Sequence, residues 1–140
     1  MWIVHKMRWI MLVSGVLTAT MVQAAIMPDA ALESNFGETV SGPLAYLVVR
    51  NWGALIGLIG GMLIYGAFHP VQRPLVLVVA GLSKVTFIAL VLSEGARYLS
   101  DQAGVAVAID SVMVLLFAWY LIAARSVDAR TAVESAQLSV

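Results

Sequence analysis

Apolar residues gather into four long blocks, at about 9–27, 44–68, 75–98 and 104–124, parted by short stretches rich in proline, glycine or charge. Each block approaches the roughly 20 residues that an α-helix needs to cross a bilayer core. The blocks are continuously apolar and lack the alternation of membrane-barrel strands, so their period argues for helices. Pro28, Pro43, Pro70 and Pro74 all fall between blocks, where proline starts or stops a helix. The third block is apolar from Leu75 to Leu92, and its predicted helix extends through Glu94 and Arg97 to Tyr98. The pattern predicts an all-α integral-membrane four-helix bundle over residues 1–124, then a polar tail over 125–140 that extends the last helix. A short surface helix is expected near 29–36, within the acidic first connector.

Composition sharpens this. Hydrophobic residues make up 61% of the 140 and charged residues 11%, too little polar surface for a soluble domain of this size. Formal net charge is zero, so no basic field draws in nucleic acid, and the expected surroundings are lipid. Cysteine is absent, which removes disulfides and thiolate metal sites. The first block has two readings. Lys6 and Arg8 ahead of an apolar run, with Val22-Gln23-Ala24 behind it, fit either a retained anchor or a secretory signal cut before Ala25. A retained anchor gives the four-helix bundle. Lys6, Arg8, Arg73, Arg125 and Arg130 flank alternate ends of the blocks, whereas the 28–43 connector holds Asp29, Glu33 and Glu38 without a basic residue. The positive-inside rule then predicts both termini on the cytoplasmic side of a bacterial inner membrane.

Charges within the blocks are the candidate chemistry, since an ionised group at a helix centre costs about 2.5–3.5 kcal/mol on the insertion scale. Counting about 1.5 Å per residue places Arg50 and Asp110 each about 9 Å from the outer end of its helix. Glu94 and Arg97 stand at the outer end of the third. The expectation is an Arg50–Asp110 pair with Glu94 as a second acceptor, forming an outward-facing polar pocket. Lys84 falls about 15 Å from Pro74, near the bilayer midplane. Ser14 and Thr18, one turn apart on the first helix, together with Ser83 and Thr86, are its expected neighbours. In the second block Gly53, Gly57 and Gly61 recur every fourth residue with Gly60 alongside, a glycine zipper that lets another helix backbone approach. Packing within the bundle is its expected use, with a homodimer as the alternative.

No catalytic constellation, phosphate loop or metal-ligand set is recognisable, so neither cofactor nor metal is expected. His5 and His69 are too little to imply a haem, and the methionines of the first block read as packing. Trp2, Trp9, Tyr46, Trp52, Tyr98, Trp119 and Tyr120 mostly fall near block ends, as interfacial anchors do.

With Arg50-Asn51-Trp52-Gly53 opening the second block, glycines below it, and Asp101 and Asp110 around the third connector, the chain resembles the DoxX-like group of small bacterial four-helix membrane proteins. The likeness covers the layout from about 9 to 124. Members often carry a glutamate in the fourth helix, where this chain has the shorter Asp110. The resemblance implies, for some relatives, an accessory role beside quinone-linked oxidoreductases. The residues themselves favour a non-catalytic protein that binds a small amphipathic ligand or another membrane protein through Arg50, Glu94, Arg97, Asp110 and Lys84. A small proton-coupled exporter using Lys84 and Asp110 is the second expectation.

Overall fold

In the computed structural model the backbone is described for residues 2–137 and side chains for 5–126. Helix α1 (Trp2–Ala19) passes through a 3-10 turn (Thr20–Val22) into the single turn α2 (Gln23–Ile26). The others are α3 (Pro28–Phe36), α4 (Pro43–Phe68), α5 (Arg73–Ser93) and α6 (Gln102–Gln137). Among the described residues no strand occurs. Four segments are long and apolar enough to span a bilayer: His5–Ile26, Pro43–Phe68, Arg73–Ser93 and Gln102–Ser126. The chain is a multi-pass membrane protein with an all-α bundle, as the four blocks predicted.

Proline sets the helix starts. It occupies the first turn of α3, α4 and α5, where its missing N–H costs no intrahelical bond. Met27, ahead of Pro28, leaves helical geometry at φ −127°, which divides the spanning segment from α3. The short helix expected near 29–36 is thus present, beginning one residue earlier. Gly37 ends it in the left-handed region (φ +67°), with its N–H on the Glu33 carbonyl at 2.8 Å. At the other boundary the expectation fails. Helix α5 stops at Ser93, and Glu94 to Ser100 form successive turns, so Glu94 and Arg97 do not share a helical face. Gly95 at φ +69° gives the physical reason, since it turns the chain just past the helix end.

The two halves of the bundle are packed differently. At the end carrying the α1 start and the α4–α5 turn, Met7, Met11, Leu63, Leu77, Phe117 and Tyr120 form a dense buried cluster. Lipid gives no hydrophobic drive for helix association, so this cluster holds by van der Waals contact. Arg73 closes it: buried, it donates from Nε to the Gly66 carbonyl at 3.3 Å and from Nη2 to the Ala67 carbonyl at 3.0 Å. Those carbonyls lie in the last turn of α4, where a cation is favoured. Arg8 stacks over Phe68, 4.7 Å from the ring centre, and ties α1 to the same end.

Glycine lets α4 cross α1 closely. A methyl placed on Gly60 would lie 2.5 Å from the Ala19 nitrogen, and one on Gly53 2.6 Å from the Ala25 nitrogen. Gly15 of α1 answers from the other side, where a methyl would meet the Gly60 carbonyl oxygen at 2.9 Å. Gly57 lies against Val22 along the same line. Gly61, expected in this groove, is exposed with nothing within 4 Å of a methyl placed there. A 3.6-residue turn carries the contact line through 53, 57 and 60, and a strict spacing of four drifts off it.

Candidate functional site

Beyond the packed half, the bundle opens. Around the middle of the spans, Lys84 of α5 forms an ion pair with Asp110 of α6 and donates a second hydrogen bond to Thr18 Oγ1 of α1 at 3.1 Å. The side chains of Lys84 and Asp110 are 7% and 17% exposed. Three spans are therefore joined at one level by one ammonium group. The fourth, α4, contributes no charge there. It presents Trp52, Ile56 and Ile59 to a cavity of about 290 Å³ with the ion pair in its wall.

The cavity is mostly apolar. Leu17, Met21, Phe87, Val105, Ala106 and Ile109 form most of its remaining walls, with the hydroxyl side chains Thr20 and Ser83 among them. Its far end, toward α3, holds Asn35 and Gln102. There α3 lies across the bundle mouth. Phe36 meets Tyr98 edge-on at 5.3 Å between ring centres and Trp52 at 6.3 Å. Ser34 donates to Gln102 Oε1 at 3.4 Å, and Arg97 Nε donates to Glu38 at 3.1 Å. The Glu38 carboxylate raises the Arg97 guanidinium above even its ordinary range, first through that hydrogen bond and then through its charge. Both partners are about half exposed, so the pair steers the loop more than it stabilises the fold.

The expected Arg50–Asp110 pair is not formed, and the polar pocket built on it is corrected accordingly. Asp110 is taken by Lys84. Arg50 is exposed and lines a shallow groove with Tyr46, Met27 and Asp29, where the Tyr46 hydroxyl donates to Asp29 at 2.8 Å. Residue counting gave Arg50 and Asp110 equal depth, but depth leaves the facing direction open. The face of α4 bearing Arg50 turns outward beside α3, whereas Asp110 turns toward α5 and the cavity. Glu94 is exposed in the turn after α5 and forms no ion pair among the described residues. Of the five candidate residues, only Lys84 and Asp110 come together.

Of the four hydroxyl neighbours expected for Lys84, Ser83 lines the cavity beside it. Thr18 is bonded to it, as its position one turn from Ser14 suggested. Ser14 is 1% exposed, and its hydroxyl has no hydrogen-bond partner among the described residues. Thr86 bonds its own helix, at the Leu82 carbonyl, and faces outward. Sequence reasoning missed Trp52, Phe87, Asn35 and Gln102 as cavity residues. Trp52 read as an interfacial anchor, and the rest carry no signal beyond their position relative to Lys84.

His69 stacks on Tyr65 at 3.8 Å between ring centres, and its Nδ1 lies 2.9 Å from the Tyr65 carbonyl. Among the described residues no cluster of three metal-ligating side chains occurs. No family model matches the chain, and neither a curated protein nor a solved structure shows significant similarity to it.

Proposed function

We propose that this protein binds a small amphipathic molecule inside its membrane bundle, in the cavity between the Lys84–Asp110 pair and α3. One observation carries the reading: the charged pair borders an apolar void of about 290 Å³ and is not enclosed in the packed half. Two buried charges that served only to fasten helices would be best surrounded by close contacts. A space with one polar wall and many apolar ones has the character of a ligand site. In this reading Lys84 and Asp110 hold the polar group, Trp52 and Phe87 line the tail, and α3 covers the entrance. The basic flanks favour a bacterial inner membrane with both termini cytoplasmic, which puts α3 and the entrance on the outer side.

Trp52 makes the test direct. In a background with Trp2, Trp9 and Trp119 changed to Phe, 1-bromooctane should quench Trp52 with a saturating curve. Ala106→Phe, which fills the cavity, should leave only the linear quenching of a probe dissolved in the micelle. Equal saturation in both proteins removes the cavity as the site.

A second reading has its own support. The cavity runs from the ion pair toward α3, while the opposite end is packed by the Met11–Phe117 cluster. Two titratable groups beside a cavity that stops at a packed end suit a proton-coupled exporter. Its mark would be efflux from proteoliposomes that Lys84→Ala abolishes; binding without any flux leaves the first reading alone.

A further inference from the structure

Hydrogen-bond capacity at the ion pair narrows the ligand class. An ammonium group has three N–H donors, and Lys84 spends two, on Asp110 Oδ1 and Thr18 Oγ1. Asp110 accepts through Oδ1, and its Oδ2 receives no bond from a described residue. Both residues line the cavity. At the pair, which is already neutral overall, the wall therefore offers one open donor beside one open acceptor, with the Ser83 hydroxyl lining the same cavity.

We infer that the cavity takes up a monocarboxylic acid of medium chain length in its protonated form. This rests on the reading of the cavity as a ligand site. The acid's O–H donates to Asp110 Oδ2, and its carbonyl oxygen accepts the third N–H of Lys84. A single group thereby satisfies both open positions. An alcohol must donate and accept through a single oxygen where the carboxyl spans the two positions with two, and an alkylammonium adds a positive charge beside Lys84. At neutral pH the free acid is an anion, because its ordinary pKa is about 4 to 5. Binding is therefore R–COO⁻ plus one H⁺ from water plus the site, giving R–COOH in the site. No net charge enters the bundle. The proton ends between the ligand carboxyl and Asp110, and no bond other than O–H is made or broken.

Size agrees with the chemistry. At about 30 Å³ per water-sized group, 290 Å³ holds on the order of ten heavy atoms. Octanoic acid has that size. Its chain would run toward Gln102, which lies about 12 Å from Asp110 along α6, between Leu17, Met21, Ile56, Ile59, Phe87 and Val105. The groups facing the cavity from α1 and α4 are not titratable, and Lys84 and Asp110 are the titratable lining residues among those described. Proton uptake is thus confined to the pair and the ligand.

The experiment is calorimetric titration of octanoate into the full-length protein in non-ionic micelles, near pH 7, in two buffers of different ionisation enthalpy. The heats should differ by one proton taken up per octanoate bound. Affinity should fall about tenfold per pH unit between pH 6.5 and 8.5. In Asp110→Asn, octanoate binds Lys84 as the anion, with no proton uptake and a flat pH profile. The wild-type proton count stands even where that variant does not fold. Octanoate binding with no proton taken up overturns the inference. Tighter binding of 1-octanol or octylammonium than of octanoate also overturns it, while leaving the cavity as a ligand site. Absence of binding by all three, together with unsaturable quenching of Trp52, removes the cavity reading as well.

Discussion

Removing the ammonium group of Lys84 should do more harm than removing both members of its pair. Lys84→Met keeps the length and apolar stem of the side chain but strands Asp110 in mid-span, with 17% of its side chain exposed. An uncompensated carboxylate at a helix centre costs about 2.5–3.5 kcal/mol. Breaking a buried pair from one side in other proteins costs about 3–5 kcal/mol. Some contact with the cavity lowers the figure, so about 2–3 kcal/mol is expected here. Asp110→Leu should cost a similar amount, because Lys84, 6% exposed, would keep only Thr18. In the double variant no charge is left to solvate, and Met and Leu occupy similar space. Its stability should lie within about 1 kcal/mol of the parent. The measurement is a double-mutant cycle by reversible unfolding in mixed micelles containing increasing sodium dodecyl sulfate, followed by far-ultraviolet circular dichroism. A coupling of at least about 2 kcal/mol is expected. A double variant as unstable as the two single losses added together would refute the reasoning, since the charges would then be solvated independently.

Other changes probe the rest of the frame. Ser14→Ala should stabilise the protein by about 1 kcal/mol in the same assay, because it removes a buried hydroxyl that has no partner. Gly60→Leu should abolish folding of the bundle, seen as loss of the unfolding transition, because even a methyl meets the backbone of α1 at 2.5 Å. The same change at Gly61, which has open space, should leave the midpoint within about 0.5 kcal/mol. Arg73→Met should cost about 2–3 kcal/mol by releasing the Gly66 and Ala67 carbonyls, whereas Arg97→Gln at the exposed Glu38 pair should leave the unfolding midpoint unchanged.

The helices were legible because their signals are one-dimensional. Apolar length, proline at the boundaries and scattered charge fixed four spans, and the acidic connector's short helix could be read from its own residues. Depth along a span was legible too, which is why Lys84 was expected near the midplane and beside Thr18. Direction around a helix was not. Arg50 and Asp110 were paired on depth alone, and the structure separates them because Arg50 continues the glycine stripe of α4 and meets the junction of α2 with α3, whereas Asp110 turns to α5 and the cavity. Arg97 failed for a different reason: the helix that would have carried it beside Glu94 ends at Ser93, and its partner is Glu38, 59 positions away. Such a long-range contact leaves no periodic trace. Neither does a void, so Phe87 and Ala106 looked like any other lipid-facing residues.

The placement of the ion pair argues against a purely mechanical role. A fastener between helices gains from dense surroundings, and this chain already has a dense end, closed by Arg73 on the carbonyls of α4, as well as a close glycine crossing between α1 and α4. A pair of buried charges is a poor additional strut, since apolar residues of the same volume hold helices as well or better. Lys84 and Asp110 instead occupy the boundary where packing gives way to the cavity, with one acceptor and one donor left open toward it. If the pair were only a strut, Lys84→Met with Asp110→Leu would preserve everything the protein does. If it receives the polar end of a ligand, that double variant keeps the fold and loses the ligand. Stability and binding then separate in a single protein, and the separation distinguishes a site from a support.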